Sequence, residues 1–210
     1  MDPAPVFVVL SYIGLFVFAV SGALTALRND MDIFGVAMIG LVTGVGGGTI
    51  RDVLLGSFPV WWIADPLAIA ICAAGAAVAV VAQPAIASRL KALIWADAAG
   101  LAVFAIIGAQ AALAAGAPAL IAVFMGAVTA TFGGVLRDVL CNETPLILRE
   151  EIYATAALIG AGVYAGLLAA GLATGPAAIA AALATFAIRA AAILFDIRSP
   201  KVGRPRGPGA

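Results

Sequence analysis

The chain has 210 residues, 64% hydrophobic and 10% charged, with 11 basic residues balancing 11 acidic ones and no histidine. A water-facing domain carries about a quarter charged residues, so this composition, with a mean hydropathy of +1.16, excludes an ordinary soluble fold and implies an all-α integral membrane protein. The scattered basic residues exclude a nucleic-acid footprint, and the lack of histidine removes the commonest metal ligand and the commonest proton shuttle near neutral pH.

In chain order, Met1-Asp2-Pro3-Ala4-Pro5 lacks the basic flank of a cleavable signal, so the apolar run 6–27 reads as a retained first helix. Six further apolar segments follow at 33–57, 66–82, 93–114, 118–141, 147–171 and 177–195, close to the length of about 20 residues that crosses a bilayer. Turn-forming residues separate them, including Arg28-Asn29-Asp30, Ser57-Phe58-Pro59, Gly116-Ala117-Pro118 and Thr174-Gly175-Pro176. Cys72 and Cys141 lie in or at the end of apolar segments without metal-ligand spacing, so they read as small buried hydrophobes.

Alternate connections hold the basic residues: Arg28, then Arg89 and Lys91, then Arg149, then Arg198, Lys201, Arg204 and Arg206 in the tail. The positive-inside rule then puts the N-terminus outside and the C-terminus in the cytoplasm, as a multi-pass protein of the inner membrane. The Pro/Gly/Arg-rich tail reads as disordered chain at the cytoplasmic face that could touch anionic lipid.

Aligned on itself, the chain pairs Gly47-Gly48-x-x-Arg51-Asp52-Val53-Leu54 with Gly133-Gly134-x-x-Arg137-Asp138-Val139-Leu140. The same ungapped offset pairs Gly14 with Gly100, Gly22-Ala23 with Gly108-Ala109, Thr43 with Thr129 and Pro59 with Pro145. The chain therefore divides into a first three-helix repeat (6–82), a second three-helix repeat (93–171), a seventh helix (177–195) and a basic cytoplasmic tail (196–210). Three spans per copy force the second to cross the membrane in the opposite sense, an architecture whose sites lie near the midplane at interrupted helices.

Gly44, Gly46, Gly47 and Gly48 are costly inside a helix, so the second span is expected to break there, and the fifth to break more mildly at Gly133-Gly134. Close packing is the other reading, because Gly40, Gly44 and Gly48 are spaced as small-xxx-small steps. Arg51, Asp52, Asp97, Arg137, Asp138 and Arg189 are charged groups at membrane depth, where they must be paired or hydrated. Neighbouring helical residues point about 100° apart, so each Arg and Asp of the motif is expected to find partners away from its neighbour. These six form either an ion-pair lock or the charged vestibules of a pathway. Thr43, Thr49, Thr129, Thr131 and Ser21 could offer neutral oxygens to a dehydrating solute, or simply bond their own helix.

The paired Gly-Gly-x-x-Arg-Asp motifs, the three-plus-three-plus-one helix count and the outside N-terminus resemble the prokaryotic TRIC (trimeric intracellular cation) channels, over about residues 6–195. The resemblance implies a homotrimer with a pore in each subunit, conducting K⁺ and less selectively Na⁺, without a cofactor or any metal beyond the permeant ion. It also implies that kinked second and fifth helices flank the pore at Gly46-Gly47-Gly48 and Gly133-Gly134. Phe132 stands where a third glycine could, and Arg51-Asp52-Val53 stands where animal members carry a lipid-associated Lys-Glu-Val. The same family has been labelled a glycine transporter family. A passive monovalent-cation channel is thus the leading expectation, and a carrier for glycine or a similar zwitterion the alternative. No nucleophile–base pair or metal cluster points to an enzyme.

Overall fold

The computed structural model describes residues 5–85, 88–149 and 152–197; the tail residues Arg198, Lys201, Arg204 and Arg206 lie outside them. The described residues form eight α-helices: α1 (Pro5–Arg28), α2 (Ile33–Leu55), α3 (Trp61–Ala64), α4 (Leu67–Ala82), α5 (Arg89–Ala114), α6 (Ala119–Leu140), α7 (Ala154–Ala169) and α8 (Thr174–Leu194). Helix ends fall where local chemistry puts them. The Asp32 carboxylate caps α2 by accepting from the Gly35 N–H at 2.8 Å, and Gly56 closes it in the left-handed conformation at φ 65°. Gly116 and Gly171 make the turns after α5 and α7 at φ 81° and 86°.

α1, α2, α5, α6 and α8 are long and apolar enough to cross a membrane. α4 and α7 are apolar but have only 16 residues each, about 24 Å of helix against a hydrocarbon core of about 30 Å. The expected segment 66–82 is met by α4 to within one residue, whereas the expected span 147–171 is corrected to a shorter helix. In the second, Leu146–Leu148 forms a 3₁₀ turn and α7 starts only at Ala154. The one-turn helix α3 lies in what sequence reading treats as a connection.

Contacts between the two halves come in matched pairs. A Cβ added at Gly47 would overlap the Thr129 carbonyl, and one added at Gly133 would overlap the Thr43 carbonyl. Likewise Gly14 faces the Phe104 ring and Gly100 faces the Phe18 ring. Moving forward along α2 or α1 means moving backward along α6 or α5, so each pair crosses antiparallel. Around these crossings Leu15, Phe18, Leu101, Ile106 and Tyr164 pack in one buried core.

The expected glycine breaks are corrected by the same geometry. α2 runs without interruption through Gly44, Gly46, Gly47 and Gly48, and α6 does so through Gly133 and Gly134. Keeping the helical hydrogen bonds avoids exposing carbonyls to an apolar surrounding. The missing side chains instead admit a neighbouring backbone at Gly47 and Gly133, the Cys72 thiol at Gly44, and the Leu136 side chain at Gly46.

Candidate functional site

The C-terminal ends of α2 and α6 each carry an Arg-Asp pair that is bonded internally. Arg51 Nε donates to Asp52 Oδ1 at 2.8 Å and Arg137 Nε to Asp138 Oδ1 at 2.7 Å. The expectation that these neighbours do not neutralise each other is therefore wrong. The guanidinium arm is long enough to curl back onto the next residue, and the cost of an unpaired charge favours that closure. Each aspartate uses its other oxygen to hold the chain beyond the helix: Asp52 Oδ2 accepts from the Trp61 N–H at 3.0 Å, and Asp138 Oδ2 from the Leu146 N–H at 2.9 Å. The repeated motif is thus a helix-terminus clasp as well as a charge pair.

The second centre has further partners. Arg137 Nη1 donates to Asp97 Oδ1 at 2.7 Å and to the Ser21 hydroxyl at 2.6 Å, joining α6 to α5 and α1. Arg137 is 0% exposed. Gly134 leaves room for this cluster, since a Cβ there would lie 3.0 Å from the Tyr153 hydroxyl and 3.4 Å from Asp97 Oδ1. Arg189 lies over the Tyr153 ring at 5.2 Å and donates to the Ile152 carbonyl at 3.3 Å. Of the six charged residues singled out from sequence, Asp97, Arg137, Asp138 and Arg189 thus share one neighbourhood, while Arg51 and Asp52 stand apart.

The first centre opens instead onto a cavity of about 490 Å³, lined in part by Arg51, Gly48 and Ser11. Asp65, Tyr12, Trp61 and Gln110 also line it, and sequence reading missed all four. The signal available was the connector Pro59 to Pro66, in which two tryptophans are followed by a single carboxylate. Asp65 Oδ2 accepts from the Tyr12 hydroxyl at 2.8 Å and Oδ1 from the Leu67 N–H at 3.2 Å. Among the described residues no Lys or Arg pairs with Asp65, whereas Arg51 is already compensated by Asp52 at 2.7 Å. The cavity therefore carries a net negative charge, which favours cations.

Of the two readings of the threonines, bonding to their own helices is the one the hydrogen bonds match. Thr43 and Thr129 donate to Ile39 and Met125 carbonyls at 2.6 Å each, and Thr131 to the Ala127 carbonyl at 2.8 Å. All three are buried, and their back-bonding satisfies hydroxyls within apolar surroundings. Thr49 bonds the Val45 carbonyl at 2.8 Å and accepts from the Trp62 indole at 2.9 Å, fastening α3 over the end of α2.

At the opposite end of α1 and α2 from this cavity, Glu143 receives the Asn29 side-chain amide at 3.0 Å and lies 3.7 Å from Arg28 and 3.6 Å from Arg149. Two of the basic connections identified from sequence are therefore neighbours in space.

A family model described as "Glycine transporter" matches the chain twice, over residues 8–84 and 94–169. The Escherichia coli K12 inner membrane protein YadS, of the UPF0126 group, is 48% identical over 158 residues, 74% of this chain and 76% of YadS. The Bacillus subtilis membrane protein YvgT is 39% identical over 157 residues, covering 72% and 75% of the two chains. The solved TRIC trimeric intracellular cation channel orthologue from Rhodobacter sphaeroides superposes at TM-score 0.89 with 46% identity, over 92% of this chain and 100% of that one. A second TRIC cation-channel structure matches at TM-score 0.85 with 35% identity, over 96% and 99%.

Proposed function

Because the chain belongs to the TRIC cation-channel family, which is also the UPF0126 or glycine-transporter family, we propose that this multi-pass membrane protein is a passive channel for monovalent cations, K⁺ and less selectively Na⁺. In this reading each subunit of a homotrimer holds its own pore, built from two inverted three-helix repeats (6–82 and 93–171) with the seventh helix (177–195) beside them. The likeness to TRIC channel structures over almost the whole chain carries the reading. The antiparallel α1–α5 and α2–α6 crossings support the inverted repeat. Clustering of Arg28 and Arg149 around Glu143 supports a cytoplasmic face at that end, with the N-terminus outside and the basic tail (196–210) inside.

The path would enter through the cavity beside Asp65 and Arg51, pass Gly48 toward the α2–α6 crossing at Gly47 and Gly133, and meet the Asp97–Arg137–Asp138 cluster. Arg137, locked between two carboxylates, acts there as the closed gate, and Arg189 braces it through Tyr153. Gly44, Gly46 and Gly134 hold the helices close enough for one narrow crossing. The buried Thr43, Thr129 and Thr131, whose hydroxyl protons go to their own helices, set its wall.

A carrier for glycine or a similar zwitterion is the second reading, favoured by one observation: the Arg51 guanidinium and the Asp65 carboxylate line the same cavity. Purified protein in planar bilayers and liposomes separates the two. Unitary K⁺ currents without solute coupling are expected; saturable glycine exchange with no unitary current would overturn the channel reading.

A further inference from the structure

The cavity at the first Arg-Asp centre has a lining that a bare alkali ion does not need. Four aromatic rings border it, those of Phe7, Tyr12, Trp61 and Phe104, together with the Asp65 carboxylate. Each ring is held from behind. Phe7 packs edge-on against Tyr164 at 6.4 Å between centroids, and Phe104 packs against Phe18 at 5.1 Å. The Tyr12 hydroxyl is tied to Asp65 at 2.8 Å, and the Trp61 ring rests on Gly48, where any Cβ would strike the indole nitrogen. Its backbone N–H is also fixed, by Asp52. Rings that need no ordering on binding retain the attraction of their faces for a cation, and Asp65 adds a charge that no Lys or Arg among the described residues pairs with. Arg51 does not spoil this, because Asp52 takes two of its nitrogens, Nε at 2.8 Å and Nη2 at 2.7 Å.

We infer that this cavity is a binding site for an organic ammonium ion, held by cation–π contact with Tyr12 and Trp61 and by the Asp65 carboxylate. Binding needs only the cavity. That the bound ion then blocks K⁺ passage rests on the channel reading, with the cavity as the mouth of the path. A hydrated K⁺ passes such a site because it gains less from aromatic faces than from its water, whereas an ammonium with an apolar shell gains from both.

Titration calorimetry of the purified oligomer with tetramethylammonium chloride, against NaCl at matched ionic strength, tests the site. Saturable binding is expected, weakened about tenfold by Asp65→Asn and similarly by Trp61→Leu, and unaltered by Asp30→Asn at the far end. Because Trp61→Leu could loosen the clasp to Asp52, the conservative Asp65→Asn decides. No saturable heat in the wild-type protein, or equal affinity in Asp65→Asn, overturns the inference. K⁺ flux measured on the same preparation keeps the two readings apart: flux without tetramethylammonium binding sinks the site alone, and binding without flux sinks the channel alone.

Discussion

At Arg137 the guanidinium lies between Asp97 and Asp138, bonds the Ser21 hydroxyl and is wholly buried. At Arg51 the same arm bonds Asp52, its one carboxylate partner among the described residues, at 2.7 Å and faces a cavity of about 490 Å³ shared with Ser11. The two centres descend from one motif, and their aspartates perform the same clasp on the following loop. Two positions of the repeat separate them: Asp97 of the second copy stands against Ser11 of the first, and Ser21, which bonds Arg137, stands against Ile107. Asp97 and Ser21 tie α5 and α1 to Arg137 on α6, whereas Arg51 lies at the edge of a cavity. One repeated motif thus yields a fully buried charge centre and a cavity-facing one on either side of matched helix crossings.

The sharpest way to break this contrast is to remove the extra carboxylate. Asp97→Asn breaks the buried Arg137–Asp97 pair and leaves Asp138 as the one carboxylate on Arg137; breaking a buried pair costs about 3–5 kcal/mol. A fall in the detergent melting temperature far beyond that of Asp65→Asn is expected. Similar small shifts in both would show that the second centre is no tighter than the first.

The crossing common to both halves comes next. Gly133→Ala drives a methyl into the Thr43 carbonyl, and Gly47→Ala does the same to Thr129; overpacking of this kind costs about 1–3 kcal/mol each. Matched losses in thermal stability from the two substitutions are expected, because the contacts are equivalent. A large effect at one and none at the other would show that the halves do not cross symmetrically.

Ser11→Asp tests the contrast from the other side, by giving Arg51 the second carboxylate that Arg137 has. The closed arrangement should then form at both ends, cutting K⁺ conductance several-fold while stability changes little. Conductance equal to or above wild type would mean that the introduced charge feeds the path and does not lock it. The smallest effect is assigned to Tyr12→Phe, which deletes one partly buried hydrogen bond to Asp65. A loss of about 0.5–1.5 kcal/mol is expected, with conductance close to wild type; a larger conductance change would make Tyr12 part of the constriction.

How much of this was legible beforehand follows from what each signal depends on. The membrane class, the seven apolar segments and the duplication rest on composition and on identities at a fixed offset, which need no folding to be read. The pairing of Gly47 with Gly133 as equivalent positions was visible too. That they are contact points and not breaks was not, because a glycine weakens a helix and admits a neighbour with the same atoms, and only the neighbour decides between them. Arg51 and Asp52 were expected to part on geometric grounds that hold for short side chains; the length of the guanidinium arm let them meet.

The site shows the same division. Six charged residues stood out because charge in an apolar run is rare, yet nothing in the chain tells which of them meet. Asp97 lies 40 residues from Arg137 in sequence and 2.7 Å from it in space, a closeness set by the α5–α6 packing. Asp65, Tyr12 and Trp61 escaped notice because a carboxylate and aromatics in a connector are ordinary at a membrane boundary. They become a site only when α1, α2 and α5 converge around one cavity. Sequence by itself thus determined the bilayer as solvent, the repeat and the inventory of costly charges, all properties of residues taken singly or at a fixed spacing. Tertiary structure alone decided which charges neutralise one another and which centre faces a cavity, because those depend on distances between helices far apart in the chain.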